Sequence, residues 1–183
     1  KTLSLGEIQR PGDETVAETT KWIDGLAAPG DGAGERFFAW VHLYDPHTPY
    51  DAPTEFASRF PATRDGAYDA EIAYTDSQVG RLLAALTSAG QLENTVVVVL
   101  ADHGEQLGEH REQSHGFFVY DASVQVPLII AGPGVAARVV PDQVRIVDVM
   151  PTVLELVGVA PQPGVQGTSL TPAMRGEKTS LLA

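Results

Sequence analysis

The residues best suited to chemistry follow an apolar run without a break. Thr95-Val96-Val97-Val98-Val99-Leu100-Ala101 leads directly into Asp102-His103-Gly104. Valines and leucine in succession, with no polar alternation, predict a strand buried on both faces, and Gly104 lets the backbone turn sharply at its end. A carboxylate and an imidazole are thereby placed at the carboxyl end of a central strand, where open α/β sheets gather their ligands. The two suit a divalent cation, since the carboxylate offsets its charge and a neutral imidazole adds a nitrogen donor. An isolated Asp-His at a strand end is more often a turn cap beside a surface histidine. The other histidines change that balance.

The chain has five: His42, His47, His103, His110 and His115. All lie within or just after two strand-like segments. Arg36 to Tyr44 (RFFAWVHLY) is a second apolar run, predicted to be a buried strand. It opens into Asp45-Pro46-His47-Thr48-Pro49-Tyr50, where two prolines stiffen a loop that presents His47. Beyond the valine strand, residues 104–116 form a polar loop that ends around His115. Two strand ends, each followed by a histidine-bearing loop, fit a single cleft at the carboxyl edge of a sheet. His42, inside a strand, reads as a packed and hydrogen-bonded residue, and His110 as a solvated one. Glu105 reads either as a second-layer group orienting a ligand or as a surface carboxylate.

The elements that must hold these loops follow from periodicity. Asp13 to Ala28 is a predicted helix carrying Val16, Trp22, Ile23 and Leu26, ended by Pro29-Gly30-Asp31-Gly32. Tyr68 to Ala89 is the strongest helix, with Tyr68, Ile72, Val79, Leu82, Leu83 and Leu86 as its apolar stripe and Gly90 as its stop; Asp76 and Arg81 on it read as solvated or structural. Val126 to Ala131 is a third short strand, ended by Gly132-Pro133-Gly134. Val149 to Val157 is a final helix with Pro151 in its first turn, where early amides lack partners. This alternation predicts an α/β fold with a mostly parallel, buried sheet and helices on both faces. Residues 1–183 read as one α/β fragment: a leading helix and linker over 1–34, a sheet-and-helix core with the site loops over 35–160, and an irregular Gly- and Pro-rich tail over 161–183.

Composition narrows the function classes. The 183 residues, 43% apolar and 20% charged, describe an ordinary globular chain, long enough to bury roughly 70% of its unfolded surface. A net charge of −12 argues against nucleic acid and anionic membrane surfaces as partners. An anionic substrate remains compatible, because a bound cation and a few histidines reverse the field inside a cleft. With no cysteine there is no disulfide, thiol nucleophile or thiolate ligand. No run approaches the ~20 apolar residues of a membrane span, and Lys1 to Leu5 lacks the apolar core of a signal peptide. The first residue is not Met, so the chain is expected to be part of something longer. Nothing in it specifies a compartment.

Taken in order, RFFAWVHLYDPHTPY, YDAEIAYTDSQVGRLLAAL, NTVVVVLADHGEQLGEH, SHGFFVYDASVQVPLII and GVQGTSL closely resemble the carboxyl-terminal half of a sulfatase catalytic domain, a member of the alkaline-phosphatase-like superfamily. The resemblance runs from about Arg36 to Leu170. One Asp-His-Gly is weak; the ordered series is strong. It implies that Asp102 and His103 are two ligands of a divalent metal ion, calcium foremost, with manganese, magnesium or zinc as alternatives. It implies that His47 contacts the transferred group or protonates the leaving oxygen. His115 stands where many sulfatases carry a Lys that binds the sulfate and leaving oxygens, and an imidazolium can fill that role. His103 stands where many sulfatases have Asn, which leans toward the phosphonate- and phosphate-ester-cleaving branches, although some sulfatases share it.

The nucleophile pattern of the family, Cys or Ser, X, Pro, X, Arg, does not occur. Ser58-Arg59-Phe60-Pro61 has its Pro one place late, and Thr171-Pro172 one place early. The family's paired amino-terminal Asp ligands precede the matching segment. The expectation is therefore a piece of a metal-dependent sulfuric ester hydrolase acting on anionic sulfate monoesters, inactive by itself and dependent on an amino-terminal half. A phosphonate or phosphodiester hydrolase, or a phosphoryl-group transferase, of the same superfamily is the first alternative. A non-catalytic binding module that lost the nucleophile is the second.

Overall fold

The computed structural model describes residues 9–26, 36–161 and 163–177. It comprises two compact units, Lys1–Leu92 and Glu93–Ala183.

In the first unit, helix α1 spans Gly12–Leu26, the one-turn helix α2 Thr54–Ala57 and the long helix α3 Arg64–Ser88. Capping starts α3 one turn earlier than its apolar stripe predicts: the Thr63 hydroxyl accepts the Gly66 N–H at 3.1 Å, satisfying an amide with no intrahelical partner. Gly66 is required there, since a Cβ would lie 2.1 Å from the Pro61 carbonyl oxygen. The helix stops at Gly90, whose φ of 66° is the left-handed conformation favoured by glycine. Ile23 of α1 packs on Ala85 and Leu86 of α3, with Phe37, Leu82 and Leu92 around them. The Pro29-to-Gly32 stop expected for α1 lies outside the described residues.

The predicted stripe holds only in the second half of α3. Ile72 is 44% exposed, while Ala70, Glu71, Tyr74 and Gln78 are buried. That row faces polar backbone rather than core. The Tyr74 hydroxyl accepts the Asp13 N–H at 2.8 Å and donates to Asp13 Oδ1 at 3.0 Å. Asp45 Oδ2 accepts the Gly12 N–H at 2.9 Å.

Arg36 to Tyr44 does not form the buried strand its composition predicts. It joins no ladder, His42 is exposed rather than packed, and Phe38 and Trp40 are each 79% exposed. An apolar run encodes a wish for burial, whereas a strand also needs a neighbour to take its N–H and C=O groups. Among the described residues no such neighbour lies beside it.

In the second unit, β1 (Val97–Leu100) pairs antiparallel with β2 (Leu128–Ala131), with Val97 opposite Ala131 and Leu100 opposite Leu128. The mostly parallel sheet expected from the alternation is not what the described residues form: they contain this one two-stranded sheet. Every residue of β1 is half-buried rather than fully covered. Between the strands lies α4 (Asp121–Val124), and after them come α5 (Val149–Leu156) and α6 (Thr171–Met174). The tail expected to be irregular thus carries one turn of helix, with Leu170 and Ala173 buried against Leu128, Val140 and Val144.

Asp148, fully buried at the head of α5, ties this unit together. It accepts the Arg145 Nη2–H at 2.9 Å and the backbone N–H groups of Arg145 and Thr168, each at 2.9 Å. Burial alone would raise its pKa, but the Arg145 guanidinium and the amides outweigh that and hold it below the ordinary carboxylate range. The Thr152 hydroxyl donates to the Asp148 carbonyl at 2.6 Å and accepts the Leu170 N–H at 2.8 Å.

Candidate active site

In the second unit the valine strand ends and the chain bends through Asp102 and His103. What bends it is close packing on α4. The Gly104 N–H donates to the Ser123 carbonyl at 2.8 Å, and a Cβ on Gly104 would sit 2.0 Å from the Ala122 carbonyl oxygen. Only glycine fits. Two residues on, Gln106 is fully buried and its Nε2 donates to Ser123 Oγ at 2.8 Å.

This bend brings three of the expected site residues together. The His103 and His115 rings lie 4.0 Å apart between centroids at 31°. Asp102 Oδ2 is 3.7 Å from His103 Nε2. Glu105 Oε1 is 3.2 Å from His115 Nδ1, and its side chain is only 7% exposed. Glu105 is therefore not a surface carboxylate. It accepts the Gln106 N–H at 3.1 Å and touches His115, where a carboxylate partner places the proton on Nδ1. His110, exposed as expected, stacks on Tyr120 with centroids 3.9 Å apart.

Asp102 and His103 suit a metal in their donor chemistry. His103 Nδ1 lies 2.8 Å from the Gly104 carbonyl oxygen; a carbonyl only accepts, so Nδ1 carries the proton and Nε2 keeps its lone pair. Ligands of one cation held ~2.0–2.3 Å away lie roughly 3–4 Å apart, and the Nε2-to-Oδ2 separation of 3.7 Å is of that size. Among the described residues no group of three or more His, Asp or Glu is arranged to hold an ion. The chain offers a carboxylate and an imidazole, and further donors must complete a coordination shell.

His47 lies in the first unit. Its ring is 4.6 Å from that of Tyr44 between centroids. Its Nδ1 is 2.7 Å from the Thr48 carbonyl oxygen and 3.2 Å from Gln9 Nε2; the shorter contact needs a proton on Nδ1, which assigns proton chemistry to Nε2. The loop around it is held by Glu71, which sequence reasoning passed over. Glu71 Oε2 accepts the His47 N–H at 2.9 Å, and Oε1 the Asp51 N–H at 2.7 Å. Burial pushes the Glu71 pKa up to about 7 against the pull of those two amides, with the Asp45 and Asp51 carboxylates adding to the rise. A polar row at helical spacing (Glu71, Tyr74, Gln78) on the face that should be apolar was the available signal.

The raised pKa gives a signed expectation. Between the ordinary carboxyl value of 4.5 and about 7, the folded chain keeps a proton that the unfolded chain has released. Stability contributed by the protonated group is thus full below about 4.5 and is lost as pH rises to about 7. At ~1.4 kcal/mol per pH unit the loss totals roughly 3 kcal/mol. Denaturant unfolding of wild type and Glu71→Gln over this range should show the slope in wild type alone. Parallel curves would refute it.

The chain is similar to proteins of known family. The family model described as Sulfatase matches residues 10–159. Arylsulfatase K of Mus musculus is 42% identical over 104 residues, covering 56% of this chain and 19% of that protein. Choline-sulfatase of Rhizobium meliloti is 37% identical over 113 residues, covering 60% and 22%. The structure of a phosphonate monoester hydrolase from Silicibacter pomeroyi superposes with a TM-score of 0.71 at 28% identity, covering 93% of this chain and 43% of that one. The matched part of the chain thus spans about a fifth of the length of those curated relatives. No helix among the described residues is long and apolar enough to cross a membrane. With the model matching most of its length and the fold shared with solved members of the superfamily, this chain belongs to the sulfatase family.

Proposed function

We propose that the chain supplies part of the active site of a metal-dependent sulfuric ester hydrolase that cleaves sulfate monoesters. The observation that carries this is the grouping of Asp102, His103 and His115 on one glycine-pinned bend, with Glu105 holding His115. Asp102 Oδ2 and His103 Nε2 would hold the divalent ion, which when bound would neutralise charge on the nonbridging oxygens. The His115 imidazolium, oriented through Nδ1 by Glu105, binds the anionic group through Nε2. His47 gives a proton from Nε2 to the departing alkoxide oxygen, neutralising the charge left there when the ester bond breaks and leaving the ring neutral with its remaining proton on Nδ1. The oxygen nucleophile and the remaining metal donors come from an amino-terminal half, so the 183-residue chain alone turns over no ester.

A phosphonate or phosphate-ester hydrolase of the same superfamily is the second reading. It is favoured by His103 and His115 standing where many sulfatases have Asn and Lys, and by the likeness to the phosphonate monoester hydrolase. The ratio of kcat/KM for an aryl sulfate to that for an aryl phosphonate monoester, measured on the full-length protein, separates the two. A ratio above ~10, more than 1.4 kcal/mol of preference, is expected. A ratio below one favours the second reading, and turnover of neither substrate favours a binding module.

A further inference from the structure

We propose that Glu71 is a positioning residue for His47: its buried carboxylate clamps the loop 47–51 by its two ends and so fixes where the His47 imidazole acts. The inference rests on the reading of His47 as the proton donor to the leaving oxygen.

Glu71 is 3% exposed on α3, where a charged side chain is costly unless it is hydrogen-bonded. Its partners are main-chain groups from opposite ends of one short loop, the His47 N–H on Oε2 at 2.9 Å and the Asp51 N–H on Oε1 at 2.7 Å. Each carboxylate oxygen takes one amide, so the loop is held in place and in orientation, as a single contact could not hold it. The two charged groups that raise its proton affinity are both acidic. Asp45 raises its proton affinity and itself accepts the Gly12 N–H at 2.9 Å, while Asp51 presents its own carboxylate to the same site. Among the described residues no Lys or Arg pairs with Glu71. A hydrophobic residue would fill this helix position without that cost, which points to the loop as the reason for the carboxylate. One side-chain contact adds to the placement: Gln9 Nε2 donates to the Thr48 carbonyl at 2.9 Å.

Amide hydrogen exchange and leaving-group kinetics together test this in Glu71→Gln, which keeps the shape of the side chain, and in Glu71→Ala. A carboxamide has one acceptor oxygen, so Glu71→Gln should speed exchange at the amide of His47 or Asp51 by at least tenfold, and Glu71→Ala at both, with the amides of α3 unchanged. In the full-length protein, a displaced proton donor should slow esters of poorly acidic alcohols more than aryl esters with acidic leaving groups. Losses of ~10- to 100-fold for the former and a few-fold for the latter are expected, mostly in kcat. Unchanged exchange at His47 and Asp51 overturns the clamp. Faster exchange with an equal loss on all leaving groups, or a loss confined to KM, leaves Glu71 a structural residue and overturns the positioning role. Should wild type turn over no ester while exchange responds as expected, the reading of His47 falls, and the positioning role falls with it.

Discussion

Replacing His115 with alanine in the full-length protein lowers kcat/KM for a sulfate ester by about 30- to 1000-fold, the equivalent of roughly 2–4 kcal/mol of transition-state binding. The expectation comes from how the residue is held. A loop histidine with no task has no need of a nearly buried carboxylate at 3.2 Å and a second imidazole at 4.0 Å. The Glu105 contact fixes the ring before substrate arrives, so the charge-assisted contact from Nε2 forms without ordering a side chain. His115→Lys restores most of the loss, since an ammonium supplies the charge without needing Glu105 to set a tautomer. Steady-state kinetics on both variants decide the matter. An alanine variant within a few-fold of wild type returns His115 to the class of ordinary loop residues.

Asp148→Ala lowers the stability of the chain by about 3 kcal/mol, the range for leaving buried backbone donors without their acceptor. The buried carboxylate accepts from the Arg145 side chain and from the backbone of Arg145 and Thr168. Its loss orphans those amides and frees the segment that leads to the buried Leu170. Arg145 is itself partly exposed, so water recovers some of its hydration and keeps the cost from rising further. Urea unfolding at neutral pH measures it. A change under 1 kcal/mol would mean that the Asp148 contacts are peripheral to the unit.

The bend that groups Asp102, His103 and His115 was legible in sequence because the signals there are local. Asp102, His103 and Gly104 directly follow a hydrophobic strand, and Gly104 is demanded by a carbonyl 2.0 Å from its missing Cβ. The helices were legible for the same reason, with boundaries moved by capping at Thr63 rather than by periodicity. Pairing was not legible. Hydrophobic runs state that a segment is buried, not by which neighbour or in which direction. Hence β2 runs antiparallel to β1, and Arg36 to Tyr44 lies in no ladder. Glu71 escaped because the polar row on α3 marks an unusual face without naming its partners, which are backbone amides 24 and 20 residues away. Glu105 was left between two readings, since its burial depends on where the chain returns at His115.

The central claim is that the bend after β1 holds the metal end of an ester-cleaving site. Anomalous diffraction from crystals of the full-length protein grown with manganese tests it directly. The account predicts a single strong peak within roughly 2.0–2.4 Å of both Asp102 Oδ2 and His103 Nε2, lost in Asp102→Ala. A peak bound by neither residue, or one that persists unchanged in Asp102→Ala, contradicts it.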